Sequence, residues 1–377
     1  MRTLHRSIYA TAALSLLTLA GCGSGRDAAP AANTAPSAAA SAGSAAAGGF
    51  GKDAIIGVAL PSKTSENWVL AGGLFTDGLK EAGFKGDVQY AAASGTVADQ
   101  QGQIGSMVTK GAKVIIIGAA DGGQLSTQVQ EAKAGGAKVI AYDRLILNTP
   151  AVDYYVAYDN FKVGQLQGQA LLDGMKAKKG AGPHNIELFS GSPDDANSAV
   201  FFNGAMDVLK PAIAAGTVKV GSGQVAIKQT ATEGWKAENA QRRMDALLTS
   251  TYSSTELDGV LSPNDTLARA ILTSVKGAGK PTPVVTGQDS EVESVKSIIA
   301  GQQYSTINKD TRALVTAAIK MVSDLSEGKS PETNDTKSYD NGVKVVPAFL
   351  LPPLIVTKEN AAAAYANDPK LAALTKG

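Results

Sequence analysis

The 377-residue chain contains one cysteine, Cys22, and two histidines, His5 and His184. The cysteine closes an apolar N-terminal stretch, so disulfides, cysteine nucleophiles and cysteine metal sites are excluded from the remainder. A Ser-His-Asp triad or a multi-histidine metal site would have at most one imidazole beyond that stretch. This composition argues against most hydrolases and metalloenzymes, and we expect neither a cofactor nor a metal ion.

The chain also lacks a strong charge of either sign. Its formal net charge is +1, whereas nucleic-acid-binding domains normally carry a basic excess or patch. We therefore expect no nucleic-acid partner. We expect no second membrane segment after the N-terminal one.

The N-terminal segment has the pattern of a signal peptide. Arg2 and Arg6 precede an apolar run at 8–20, which is shorter than the roughly 20 residues that span a bilayer. The sequence Leu-Ala-Gly-Cys ending at Cys22 resembles the lipobox of bacterial lipoproteins, in which the cysteine is acylated and becomes the new N-terminus. An ordinary secretory signal with a chance cysteine is the alternative. We predict a signal peptide at 1–21 and a disordered tether at 22–53, which is rich in Ala, Gly and Ser.

The remainder of the chain alternates short apolar runs with amphipathic stretches. Uninterrupted β-branched runs such as 114–117 are typical of parallel strands buried on both faces, and the stretches between them have helical periodicity. Two doubly wound α/β lobes account for this length. The predicted strands are 54–60, 87–91, 114–117, 138–142, 186–189, 218–221, 259–261, 284–286 and 304–307, and helices in the second half are predicted at 163–175, 201–209, 235–248 and 267–275.

Polar and charged side chains follow most of these predicted strands. Ligands of open α/β sheets bind beyond the carboxyl ends of the strands, and planar polar groups suit adjacent sugar hydroxyls, each of which is both donor and acceptor. Each of these residues considered alone is also an ordinary turn or helix-capping residue. The strand-end residues are Lys63, Glu66, Asn67, Trp68, Asp121, Asp143, Arg144, Asp194, Asp195, Asn197, Asn264, Asp265, Gln288, Asp289 and Lys309.

Several of these segments resemble one known family. The segments are Tyr142-Asp143-Arg144-Leu145, Tyr158-Asp159-Asn160-Phe161, Gly191-Ser192-Pro193-Asp194-Asp195, Ser262-Pro263-Asn264-Asp265, Gly287-Gln288-Asp289 and Lys344-Val345-Val346-Pro347. They are similar to the signature segments of sugar-binding proteins of bacterial ABC importers, in particular the xylose-binding and multiple-sugar-binding group. The resemblance runs from about residue 55 to 358. It implies the type I periplasmic-binding-protein fold, in which two lobes joined by a three-segment hinge close on a monosaccharide.

The resemblance also implies a set of ligand residues. By matching position, sugar hydroxyls would be bound by Asp121, Asp143, Arg144, Asn264, Asp289 and Lys309, and Asn197 is a further candidate. Trp68 and Phe201 would sandwich the ring. The family commonly has arginine where this chain has Asn67, so the sugar preference does not transfer.

The same comparison gives expected lobe boundaries. Crossovers are expected near 158–160, 307–309 and 341–343. The first lobe would comprise 54–158 plus 308–341, the second 159–307 plus 342–360, and a tail 361–377. The implied partners are a monosaccharide, a permease and the membrane through the lipid at Cys22, and the implied state is a monomer outside the cytoplasm.

Two alternatives remain open from the sequence. A carbohydrate-acting enzyme would use Asp194 and Asp195 as acid and base, although consecutive residues seldom face each other across a substrate. A sensor would present the bound sugar to a chemoreceptor or sensor kinase with the same fold and site. Regulators of this fold that bind DNA carry an N-terminal helix-turn-helix, and a signal-like segment stands in that position.

Overall fold

The computed structural model describes residues 48–63, 65–94 and 96–376. The predicted signal peptide, Cys22 and most of the tether lie outside these ranges. The end of the predicted tether is part of the folded body, because Phe50 N donates to Ser326 O at 3.0 Å and the Phe50 ring lies 6.1 Å from that of Phe84. The predicted boundary at residue 53 is therefore a few residues too late.

The described ranges contain twelve strands, most of them separated by helices. The strands are β1 (Ile55–Leu60), β2 (Lys85–Tyr90), β3 (Val114–Ile117), β4 (Lys138–Tyr142), β5 (Tyr154–Tyr158), β6 (His184–Leu188), β7 (Val218–Val220), β8 (Gly259–Leu261), β9 (Val284–Val285), β10 (Ser305–Asn308), β11 (Ala348–Leu351) and β12 (Leu354–Thr357). The helices are α1 (Glu66–Glu81), α2 (Thr96–Thr109), α3 (Ser126–Ala134), α4 (Asn160–Lys179), α5 (Ala196–Ala214), α6 (Ile227–Thr230), α7 (Ala237–Ser250), α8 (Asp265–Gly277), α9 (Val292–Ile299), α10 (Thr311–Ser326), α11 (Ala361–Ala364) and α12 (Pro369–Leu374).

The strands form two parallel sheets and one antiparallel pair, and we use the two parallel sheets to define two lobes. The first lobe contains the six-stranded sheet β11-β5-β4-β3-β1-β2, and the second contains β7-β6-β8-β9 together with the antiparallel pair β10-β12. Alternate residues of β3 show how the first sheet is buried: Ile115 and Ile117 pack in one apolar core, and Val114 and Ile116 pack in another on the opposite face. The second sheet likewise has a core on each face. The predicted α/β class with doubly wound parallel sheets is confirmed.

The chain passes between the sheets three times. It leaves the first sheet after β5, returns between β10 and α10, and leaves again between β11 and β12. The first two crossings agree with the expected positions. The third does not, because β11 pairs with β5 from Ala348 to Leu351. Residues 342–351 therefore belong with the first sheet, and the crossing expected at 341–343 was wrong.

A local turn accounts for the misplaced crossing. The Asn341 side chain accepts from Val343 N at 3.1 Å and donates to Thr149 O at 2.7 Å. These bonds hold the turn against the first lobe. The segment 342–347 therefore stays with this lobe and leads into β11. Within the described part of the chain, no helix has the length and hydropathy required to cross a bilayer.

Candidate functional site

The carboxyl ends of strands from both lobes surround one cavity of about 980 Å³. This placement follows from the topology, because parallel strands of a sheet all end at the same edge. Eight of the nine predicted ligand residues line this cavity: Trp68, Asp143, Arg144, Asn197, Phe201, Asn264, Asp289 and Lys309.

Asp121 lies outside the lining that the described residues form around this cavity. Its carboxylate accepts from Gly123 N at 2.8 Å and from the Gln124 side chain. These are the bonds of a turn-stabilising aspartate, so this geometry does not support the predicted contact between Asp121 and a sugar.

Arg144 is fixed at the end of β4 by bonds to both lobes. Its guanidinium donates to Ala119 O at 3.2 Å within the first lobe, and its Nε lies 3.0 Å from Oδ2 of Asp195 in the second lobe. Its Cζ also lies 5.6 Å from the centre of the Trp68 ring. Asp143, the preceding residue, has φ of 61°, a left-handed conformation that is uncommon for residues other than glycine.

Asparagine side chains at the cavity also form hydrogen bonds between the lobes. Asn197 Nδ2 on α5 donates to Asp143 O at 2.8 Å, and Asn67 Nδ2 on α1 approaches Asp289 O at 3.4 Å. Asn160 donates to Asn197 Oδ1 at 3.0 Å. The Asn197 amide is therefore engaged on both its nitrogen and its oxygen, which fits a bridge between the lobes better than a direct sugar ligand.

Asp289 and Lys309 form a second ion pair on the side of the cavity that belongs to the second lobe. Lys309 Nζ lies 3.1 Å from Asp289 Oδ1 and 5.5 Å from the centre of the Phe201 ring. Asp289 has φ of 94°. Asp143 and Asp289 thus both combine a positive φ with a place in the cavity lining.

Asp265 fixes the backbone that carries Asp289. Its buried carboxylate accepts from Glu291 N at 3.0 Å, from Gln303 Nε2 at 2.8 Å and from Thr306 Oγ1 at 2.9 Å. These donors come from the loop after β9, the turn before β10 and β10 itself. Asp265 is thus a structural residue behind the cavity, and the neighbouring Asn264 is the one that lines it.

Aromatic rings line the cavity on both sides. Trp68 on α1 belongs to the first lobe, and Phe201 on α5 and Trp235 belong to the second. Trp235 was predicted inside a helix, but it lies in a short turn before α7 and has φ of 54°. Its ring lies against Gly191, where an added Cβ would come within 2.1 Å of the indole. Its Nε1 is buried without a hydrogen-bond partner among the described residues.

Burial and ion pairing set the ionisation of the groups around the cavity. Burial raises the pKa of Asp195, an effect that Arg144 partly offsets. Burial alone would lower the pKa of Lys309, but Asp289, Asp143 and Asp195 outweigh it and raise that pKa. Burial, Glu291 and Asp289 raise the pKa of Asp265 well above its usual range. Among the described residues, no group of three or more His, Cys, Asp or Glu side chains is placed to hold a metal ion.

Residues 56–330 match the family described as the periplasmic binding protein domain. The multiple sugar-binding periplasmic receptor ChvE of Rhizobium radiobacter is 51% identical over 81% of this chain and 87% of its own length. This chain belongs to the periplasmic binding protein family.

Other relatives extend this result. The D-xylose-binding periplasmic protein of Escherichia coli is 35% identical to this periplasmic binding protein over 82% of the chain and 88% of its own length. An ABC transporter solute-binding protein of Clostridium phytofermentans, solved with β-D-glucose, has a TM-score of 0.80 and 40% identity, covering 84% of this chain and 98% of its own. A Chloroflexus aurantiacus protein solved with D-glucose has a TM-score of 0.77 and 35% identity, covering 84% and 96%. The two-lobed type I fold is confirmed.

The family also decides against the enzyme alternative. Its members are sugar-binding transport proteins and not enzymes. In this periplasmic binding protein, Asp195 is held by Arg144 and by Asn197 N at 2.9 Å, whereas Asp194 is exposed at the cavity rim. The two carboxylates therefore do not form an acid and base pair.

Trp235 and Gln288 are among the cavity-lining residues of this periplasmic binding protein that were not predicted as ligands from the sequence. Trp235 was predicted to lie in a helix. The glycine before it, Gly234, was a sequence signal for a turn, and in the structure its φ is 65°. Gln288 was noted only as a strand-end residue, yet its buried side chain lines the cavity, and its Oε1 has no partner in the described part of the chain. No local sequence pattern distinguishes such a glutamine from one on the surface.

Proposed function

We propose that this protein binds a monosaccharide between its two lobes outside the cytoplasm and delivers it to the permease of an ABC importer. The observation that carries this proposal is the composition of one cavity. Hydrogen-bonding groups from both lobes converge there with aromatic rings on opposite sides. Planar polar groups suit sugar hydroxyls, and the rings suit the apolar faces of a pyranose.

We assign roles to the lining residues as follows. Asp143, Arg144, Asn264, Asp289 and Lys309 bind hydroxyl groups, and Gln288 adds an amide oxygen that a sugar hydroxyl would satisfy. Trp68 from the first lobe and the Phe201 and Trp235 rings from the second enclose the sugar. Asn197 and Asp195 act mainly by joining the lobes.

Closure follows from contacts that need both lobes. The bonds from Arg144 to Asp195 and from Asn197 to Asp143 O join opposite sides of the cavity. A sugar that contacts both lobes binds the closed arrangement more tightly than the open one, so it shifts the population toward closure. The permease then receives the closed, loaded form.

The relatives favour aldoses as ligands. Two related structures hold glucose, and one relative is named for D-xylose. We therefore propose an aldopentose or aldohexose. Asn67 stands where the family commonly has arginine. The order of affinity for these sugars therefore does not carry over from the relatives.

We also propose where the protein acts and in which oligomeric state. The protein acts as a monomer held at the membrane by lipid on Cys22, and the segment after Cys22 gives the lobes reach toward a permease. A sensor role, with the loaded form presented to a receptor or kinase, is the second candidate. It is favoured by the word receptor in the name of the 51% identical relative.

A thermal-shift panel of monosaccharides, amino acids and purines tests the binding proposal. A ligand that binds only the folded state raises the melting temperature by mass action. We expect at least one aldose to raise it and the other two classes to leave it unchanged. A shift with an amino acid or purine and none with any sugar would contradict the proposal.

A further inference from the structure

The C-terminal segment, residues 361–376, is folded against the second lobe. Tyr365 and Leu371 are buried in a small apolar core with Val295 of α9 and Val356 of β12. This segment was predicted only as a tail. Its packing places α11 and α12 beside the loop that carries Asp289.

Tyr365 contacts this loop directly. Its hydroxyl donates to Ser290 Oγ at 2.8 Å, and both residues are buried. Ser290 directly follows Asp289 and has φ of 52°, and its N–H donates to Thr306 Oγ1 at 3.2 Å. Two consecutive residues in left-handed conformations need bonds that hold them, and Tyr365 supplies one of these bonds.

The same segment also reaches the first lobe. Asp368 Oδ2 lies 2.9 Å from Arg312 NH1 on α10, and α10 packs in the core of the first lobe with α1. The side chain of Asp368 is 17% exposed and that of Arg312 is 36% exposed, so solvent screens this pair only in part. Lys370 and Glu66 form a second pair at 3.3 Å, but both side chains are largely exposed, and such pairs contribute little.

We propose that the C-terminal segment is a strap that positions the Asp289 loop through Tyr365 and ties the closed lobes together through Asp368 and Arg312. This inference rests on the proposed function, because its effect is on the release of bound sugar. Arg312 and Asp368 belong to different lobes, and opening of the cleft separates them. The strap therefore slows opening and lengthens the time for which the sugar is held.

Sugar release from the purified full chain tests the strap. The chain has two tryptophans, Trp68 and Trp235, and both line the cavity, so intrinsic fluorescence in a stopped-flow instrument reports loading and release of D-glucose or D-xylose. The variants are Arg312→Gln, Asp368→Asn, their combination, and Tyr365→Phe. Asparagine also caps helices, so Asp368→Asn keeps an acceptor at the start of α12. The control is Lys320→Gln, which removes a 2.8 Å pair with Asp324 within α10.

We expect Arg312→Gln and Asp368→Asn each to raise the release rate about two- to fivefold. The double variant should release no faster than the stronger single one, since both changes remove the pair between Arg312 and Asp368. Arg312→Gln also removes a 3.2 Å pair with Asp310 at the start of α10, so Asp368→Asn is the more specific of the two single variants. Tyr365→Phe should weaken affinity about fivefold without altering the aromatic packing. High salt should reduce the difference between wild type and Arg312→Gln, and Lys320→Gln should release at the wild-type rate.

Release rates in Arg312→Gln and Asp368→Asn that equal the control would overturn the strap, provided that the wild type binds sugar. If the wild type binds no sugar at all, the proposed function fails instead. Melting temperatures separate misfolding from weakened closure, because a strap variant should melt near the control and still release faster. If Tyr365→Phe fails to fold, the Arg312 and Asp368 variants decide the result.

Discussion

Arg144 and Asp195 join the two lobes across the cavity, with 3.0 Å between Nε and Oδ2. Asp195 is 5% exposed and Arg144 is 16% exposed, so the pair is largely removed from water. Asp195 Oδ1 also accepts from Asn197 N at 2.9 Å at the start of α5. The same carboxylate therefore caps a helix of the second lobe and holds an arginine of the first.

Replacing Asp195 with asparagine should weaken sugar binding without unfolding α5. Asparagine caps helices as well as aspartate does, but it leaves the Arg144 charge without its partner in the second lobe. We expect a loss of about 1–3 kcal/mol in binding free energy, measured by isothermal titration. Asp245→Asn, at an exposed position on α7, is the control. Wild-type affinity in Asp195→Asn would show that the ion pair does not support closure.

Replacing Trp235 with alanine should reduce sugar affinity more than replacing it with phenylalanine. The indole lies against Gly191 and lines the cavity, so alanine removes a ring face and phenylalanine retains one. We expect at least about 1 kcal/mol between the two variants. Equal affinities in a titration of both would remove Trp235 from the binding site.

The sequence predicted nine of the strands because their residues carry strong local signals, but it did not predict β5, β11 or β12. The run at 114–117 is buried on both faces, as its β-branched composition predicted. Most of the predicted ligand residues that line the cavity follow strands, and strand ends converge by topology. Their selection from the longer set of strand-end residues came from the family resemblance.

The remaining features depend on tertiary contacts that no local pattern reveals. Asp121 and Asp143 both follow strands, yet Asp121 closes a turn with Gly123 and Asp143 lines the cavity. The segment before β11 has a linker-like composition, but β11 pairs with β5. Trp235 has helical periodicity with the residues after it, although a left-handed Gly234 places it in a turn.

Replacing Asp265 with asparagine should change how stability depends on pH. Because the folded-state pKa of Asp265 is raised, the unfolded chain loses this proton first as pH rises above about 4. The contribution of Asp265 to the free energy of unfolding therefore decreases as pH rises from about 4 to the folded-state pKa, and it is constant above that pKa. Asparagine does not titrate, so the variant lacks this pH-dependent loss of stability. The melting temperature of the variant minus that of wild type should therefore rise as pH increases from about 4 to the folded-state pKa.

Asp335→Asn is the matched control for this pH series. Burial tends to raise the pKa of Asp335, but hydrogen bonds from Ser338 outweigh it and the pKa is lowered. Its contribution to stability is present above the unfolded-state pKa and is lost only as pH falls below it. The control difference should thus be flat between about pH 4 and pH 7. An equally flat series for Asp265→Asn would contradict the raised pKa.

Replacing Gly164 with alanine should destabilise the second lobe and disturb Phe201. An added Cβ at Gly164 on α4 would come within 2.0 Å of Phe201 O on α5, so the two helices must separate. We expect a loss of about 1–3 kcal/mol in unfolding free energy together with weaker sugar binding, measured by denaturant titration and calorimetry. Gly102→Ala on α2 has no atom within 4 Å of the added Cβ and should stabilise the protein by about 1 kcal/mol. Equal effects of the two changes would contradict the close approach of α4 and α5.

Isothermal titration of the purified chain with D-glucose and D-xylose, followed by recovery of the sugar, tests the central claim most directly. We expect saturable binding of one sugar per chain to at least one of them, return of the sugar unchanged, and a clear loss of affinity in Arg144→Ala. The absence of binding to either sugar and to the other aldopentoses and aldohexoses, or undiminished affinity in Arg144→Ala, would contradict it.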